Sequence, residues 1–228
     1  MNFRFCLANL ERLTKLLVIV TMFGSAAVSQ TTTITKGEFD NAWQAAFATS
    51  RNKAVQIAMD TEVKNDGNII SIERSVNQFV APDRIRSLIV VSSGAKTWKD
   101  ETVEIGDAAY RKKDNGKWLQ YPATERVRRV AVPSNLLPAN WSESPELKFY
   151  ITDSILDGKP ARVYSAERNG NSTYNHAEQT SVWISAEGLI LKTESLNREI
   201  NKSDTWIMRT VSVWSYDPFA FEIETPIK

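Results

Sequence analysis

One cysteine and one histidine in 228 residues leave this chain nearly without the side chains that most often bind metals or serve as nucleophile and base. Zinc sites draw several ligands from His and Cys, and a single imidazole cannot supply them. Glycine (9) and proline (8) are too few for a collagen-like or low-complexity polymer. Charge of one sign is also missing: 28 Lys plus Arg stand against 27 Asp plus Glu. A net charge of +1 gives no sequence-wide footprint for nucleic acid, which shows as a strongly basic domain or face. With 42% hydrophobic residues, what remains is an ordinary globular chain, unusual only in its seven tryptophans: Trp43, Trp98, Trp118, Trp141, Trp183, Trp206 and Trp214.

The first 29 residues differ from the rest. Arg4, Arg12 and Lys15 make a basic start, Leu16 to Phe23 form a compact apolar run, and Ala27-Val28-Ser29 puts small residues at cleavage spacing. The apolar run is about half of the roughly 20 residues needed to cross a bilayer. Residues 1–29 therefore read as a secretory signal peptide and 30–228 as one mature domain with no permanent membrane span. Removing three basic residues and one acidic leaves 25 positive and 26 negative side chains, a net charge of −1. Cys6 goes with the signal. A mature chain without thiols excludes disulfides, a Cys nucleophile, thiolate metal sites and lipid attachment through an N-terminal cysteine.

Gln30 to Lys36 is Thr-rich and polar and reads as a flexible arm. Phe39, Ala42, Trp43, Ala46 and Phe47 then recur at helical spacing, predicting one amphipathic helix of about three turns that ends near Ser50. After it the period switches to two. Val55, Ile57 and Met59 alternate with polar neighbours, Asn65-Asp66-Gly67-Asn68 is turn chemistry, and Ile70 to Val80 returns as a strand. Short strands follow at Ile85–Val91, Thr102–Ile105, Ala109–Lys112 and Lys117–Tyr121. Residues Pro122 to Pro145 break the rhythm and read as a short helix or irregular flap. Strands resume at Leu147–Ile155, Ala161–Glu167, Val182–Ser185, Leu189–Leu196, Thr205–Tyr216 and Phe221–Glu224. About ten antiparallel strands, one N-terminal helix and no helical crossovers predict a mainly β, α+β fold: a large curved sheet or incomplete barrel with the helix on one side. Its interior either packs solid or holds a ligand.

Catalytic chemistry finds little support. His176 lies in the polar run Ser172-Thr173-Tyr174-Asn175-His176 and reads as an exposed loop residue, and no Gly-x-Ser-x-Gly elbow occurs. Carboxylates that could pair are Asp100, Glu101, Glu104 and Asp107, or Glu194 and Glu199, but alternation on an exposed strand face explains them better. Gly67, Gly94, Gly106 and Gly116 stand singly in turns, so no phosphate loop is present. No catalytic residue, metal or cofactor is assigned. Arg126, Arg128 and Arg129 read as a solvated basic loop.

Several ordered pieces resemble one family. Ile105-Gly106-Asp107-Ala108-Ala109-Tyr110 followed by Asn115-Gly116-Lys117-Trp118 is similar to a hairpin of bacterial envelope proteins with the LolA/LppX/RseB-like fold. Gly158-Lys159-Pro160-Ala161-Arg162-Val163-Tyr164, Val182-Trp183-Ile184-Ser185 and Gly188-Leu189-Ile190-Leu191-Lys192 resemble its paired strands. Ser215-Tyr216-Asp217 with Phe221 to Pro226 resembles its closing strand. The set spans most of residues 37–228. The resemblance implies an unclosed antiparallel half-barrel with helices on its concave side, in the periplasm or cell envelope. It implies a non-enzymatic carrier for a lipid or lipoprotein acyl chain, or, as the alternative, an RseB-like module that docks on an envelope protein without stable lipid. Two departures stand out: the lipidated N-terminal Cys of many relatives is missing, which points to a soluble periplasmic form, and Ile190 stands where a turn proline is expected.

Alternation on the last long strand puts Trp206, Met208, Thr210, Ser212 and Trp214 on one face, with Ile207, Arg209, Val211 and Val213 on the other. Trp43, Phe47, Trp183, Trp206, Met208 and Trp214 are the candidate cavity residues. Aromatic rings offer large apolar area and Met adapts to variable shapes. Acyl binding would be driven by burial, at about 0.8 kcal/mol per methylene. Alternation alone leaves open which sheet face lines the cavity.

Overall fold

A computed structural model describes residues 30–80, 83–122, 147–168, 176–200, 205–216 and 223–227. Its strands are β1 (Thr31–Ile34), β2 (Val55–Asn65), β3 (Asn68–Val80), β4 (Arg84–Ser93), β5 (Lys96–Ile105), β6 (Ala108–Lys113) and β7 (Leu119–Pro122). They continue with β8 (Leu147–Leu156), β9 (Lys159–Arg168), β10 (His176–Ser185), β11 (Ile190–Ile200) and β12 (Thr205–Ser215); one helix, α1 (Lys36–Ser50), follows β1. Among the described residues these twelve strands form one antiparallel sheet in the order β1-β8-β9-β10-β11-β12-β2-β3-β4-β5-β6-β7. It is unclosed, with β1 and β7 as its edges: the incomplete barrel with one helix that the patterning predicts and the half-barrel that the resemblance implies.

The sheet is two meanders, β2 to β7 and β8 to β12, joined where the last strand pairs with the first long one, Trp214 opposite Ile57 and Thr210 opposite Thr61. Tight turns hold the hairpins. Asp66-Gly67 and Asp157-Gly158 both take positive φ at two successive residues, the pattern that matches the right-handed twist of the flanking strands.

Helix α1 begins on a reciprocal cap. Thr35 Oγ1 accepts from the Glu38 N–H at 3.2 Å, and Glu38 Oε2 accepts from the Thr35 N–H at 2.7 Å. Phe39, Trp43, Ala46 and Ser50 form its buried stripe. Phe39 packs on Phe149 and Ala166 of β8 and β9, with the two rings 5.3 Å apart. Trp43 and Ala46 pack with Val55, Ile57, Val182, Ile184, Ile190 and Trp214. The helix thus crosses from β8 and β9 towards β11, β12 and β2.

Register carries the helix-bearing face across the other meander through Ile57, Asn77, Ser87, Thr102 and Arg111. Val103 and Tyr110 therefore lie on the opposite face, where they bury Ile223. Arg84 Nη1 donates to the Ile223 carbonyl at 3.2 Å and straps the C-terminal segment there.

Four expectations change. Thr31 to Ile34 is an edge strand rather than a loose arm: its backbone pairs with β8, and Thr31 Oγ1 lies 3.1 Å from Thr152 Oγ1. His176 opens β10 instead of sitting in a loop, paired with Glu199. Twelve strands replace about ten. Ile223 and Glu224 are not in a strand; Ile223 is held by side-chain burial instead. The Pro122 to Pro145 flap, Trp141 and the Arg126, Arg128, Arg129 cluster lie outside the described residues except for Pro122 itself, the last residue of β7.

Candidate functional site

Three of the six candidate cavity residues meet beneath α1. Trp43 and Trp214 are 4% and 7% exposed, and Phe47 stacks on Trp43 at 5.9 Å between ring centroids. They form packed core with Ile57, Val182 and Ile184. The end of the helix is tied to the sheet at one point. Ser50 Oγ accepts from the Ile190 N–H at 3.0 Å and lies 2.9 Å from the Tyr216 hydroxyl, which donates to the Ile190 carbonyl at 2.7 Å. Burial pushes the Tyr216 phenol up to about 12 against these hydrogen bonds, so it stays protonated.

Met208 and Trp206 share the face of Trp214 but lie towards the other end of β12. Ser212 and Thr210 intervene, and Thr210 Oγ1 lies 3.0 Å from Thr61 Oγ1. Trp183 is not brought to the others. Its neighbours Val182 and Ile184 are buried under the helix, so alternation turns Trp183 to the opposite face, where the Lys192 ammonium lies 4.4 Å over its ring. Lys192 also pairs with Glu194 at 2.8 Å, and Glu194 with Arg209. Burial acts to raise the Glu194 carboxyl, but hydrogen bonds and charge from Lys192 and Arg209 outweigh it and hold the group below its ordinary value. A general acid needs the reverse.

A polar belt on the helix-bearing face is absent from the sequence reading. Ser75, Asn77, Ser87 and Asp100 are all buried. Ser87 Oγ donates to Asn77 Oδ1 at 2.7 Å, and Asn77 Nδ2 lies 3.3 Å from Ser75 Oγ. Asp100 pairs with Arg111, whose guanidinium its hydrogen bond raises further. Glu101, on the other face, accepts from Arg86 at 2.6 Å. Consecutive strand residues point apart, so Asp100 and Glu101 cannot act as a catalytic pair. Among the described residues no group of three or more His, Cys, Asp or Glu could hold a metal.

A cleft of about 510 Å³ opens at the end of the sheet formed by the β8–β9 and β10–β11 turns. Tyr164, Ile184 and Pro160 supply apolar wall, and Arg162 and Asp153 stand with their charges 3.5 Å apart. Ile184 belongs to the core beneath α1 and Tyr164 packs against it, so the cleft is continuous with the Trp43 and Trp214 cluster. None of its lining residues was among the six candidates. The signal available was the run from Gly158 to Tyr164, read for its motif rather than for its walls.

No known family and no curated protein matches the chain by sequence. Among solved structures it is similar to LprF from Mycobacterium bovis, at 9% identity and a TM-score of 0.47 over 84% of this chain and 98% of that one. It is also similar to an outer membrane lipoprotein-sorting protein domain from Vibrio parahaemolyticus, at 11% identity and TM-score 0.29 over 82% and 95% of the two chains. A LolA superfamily protein from Nitrosomonas europaea is similar at 11% identity and TM-score 0.27, over 80% and 92%.

Proposed function

We propose that this chain is an exported, non-enzymatic binding protein of the periplasm or cell envelope that holds a lipid or lipoprotein acyl chain. Residues 1–29 serve as the signal peptide in this reading. The observation that carries it is the apolar-walled cleft beside Ile184 and Tyr164, continuous with the aromatic core under α1. Its volume of about 510 Å³ falls in the range of roughly 300–1,000 Å³ in which proteins hold small ligands. A flexible chain enters such a site by burial against Tyr164, Ile184 and Pro160, with the Asp153 and Arg162 charges beside it. No helix among the described residues is long and apolar enough to cross a membrane.

Organic extraction of the exported protein followed by mass spectrometry tests the reading, with displacement of a fluorescent fatty acid as the second measurement. A stoichiometric acyl lipid and a displaceable probe are expected. Pro160→Phe, on the face of Tyr164 and Ile184, fills the cleft and should weaken probe binding at least tenfold. Absence of both lipid and displacement overturns the carrier, and capture of an envelope protein by the lipid-free chain would then support the docking module.

A further inference from the structure

The antiparallel order sends successive turns to opposite ends of the sheet, and the two ends differ in chemistry. At one end lie the β2–β3, β4–β5 and β6–β7 turns and the start of β12. Four large apolar side chains are exposed there: Ile69 (53%), Trp98 (47%), Leu119 (58%) and Trp206 (38%). Each is within the first three residues of its strand. Exposed Lys96, Lys113 and Lys117 stand among them. The two aspartates of these turns bond backbone amides, Asp66 accepting from the Thr205 N–H at 2.9 Å and Asp114 from the Lys99 N–H at 2.7 Å. The opposite end carries exposed Asp83, Asp107, Asp157 and Glu187 in its turns, but exposed Arg51, Lys53, Arg84 and Lys159 stand beside them and balance the charge, and Ile155, 74% exposed, is there too.

We propose that the aromatic, lysine-bearing end docks on an anionic lipid surface. Tryptophan rings carry an apolar body and a polar N–H and suit the headgroup boundary. Lysines beside them gain from negative lipid, by about 1 kcal/mol for each cation near the surface. The opposite end balances its charges and has no exposed tryptophan among the described residues, so the tryptophans and lysines of this end orient the molecule. The apolar groups stand on separate hairpin tips rather than in one groove. A deformable headgroup layer accommodates such scattered tips, whereas a protein partner would need a matching set of pockets. This surface is separate from the cleft, which opens at the opposite end of the sheet, so the docking does not rest on the acyl-chain reading.

Co-sedimentation of the exported protein with protein-free vesicles tests it. Binding is expected to phosphatidylglycerol-containing vesicles and not to phosphatidylcholine alone, and it should weaken as salt rises and screening shortens. Lys96→Glu with Lys113→Glu and Lys117→Glu should raise the lipid concentration for half-binding at least tenfold. Trp98→Ser with Trp206→Ser should weaken binding and remove quenching of tryptophan fluorescence by brominated acyl chains. Pro160→Phe should leave vesicle binding unchanged, so failure of the cleft and failure of the docking end are read separately. No binding to anionic vesicles, or binding insensitive to both sets of substitutions, overturns the proposal. Binding only to membranes that retain their proteins also overturns it and assigns this end to a protein partner.

Discussion

Ser50 is fully buried at the end of α1, and a single hydroxyl there joins the helix, β11 and the end of β12. Ser50→Ala leaves the Ile190 N–H without its acceptor, and a loss of about 1–3 kcal/mol is expected in denaturant unfolding. Tyr216 gives the same joint a pH signature. Its folded value, raised from 10 to about 12, means that its contribution is fully present below pH about 10 and is lost as pH rises through about 12. Thermal melts across that range should show a fall in stability that Tyr216→Phe reduces. Neither residue was legible as a joint: Ser50 marked only the end of an apolar period, and Tyr216 only the end of a strand. The hydrogen bonds that couple them span 140 and 166 positions, which no local pattern encodes.

At the scale of elements, α1 was readable because Phe39, Trp43 and Ala46 repeat on one stripe, and that stripe is what the sheet buries. Phe39→Ala should cost about 3–5 kcal/mol by opening a cavity against Phe149. Thr35→Ala removes the cap and should cost about 1 kcal/mol, with lower stability by calorimetry. Hydrogen bonds from Thr35 hold the Glu38 carboxyl below 4.5, so the cap is intact above that pH and weakens as pH falls. Strand β1 was hidden because its three threonines are exposed and only Ile34 is partly buried, leaving no apolar alternation to detect. The first half of β10 was hidden for a related reason. His176, Glu178 and Thr180 keep the strand's period, but with polar groups where an apolar face would signal itself. Of the six candidate residues, Trp43, Phe47 and Trp214 meet as packed core under α1, as size and spacing suggest. Trp183 does not join them, because a ring on a strand announces its bulk but not its face.

For the whole molecule, strand content was legible and connection order was not. The pairing of β12 with β2 joins residues 149 positions apart, as at Thr61 and Thr210, and nothing in either strand names the other. Truncation after residue 200 removes β12 and leaves β2 and β11 with bare edges. Such a chain should lose cooperative unfolding rather than shift its midpoint, as near-ultraviolet circular dichroism during denaturation would show. The same pairing sets an order of assembly. A chain delivered N-terminus first presents β2 early and β12 almost last, so the two meanders stay separable until nearly the whole polypeptide has arrived. Completion of the sheet therefore waits on its last strand, and until then both meanders keep an open edge.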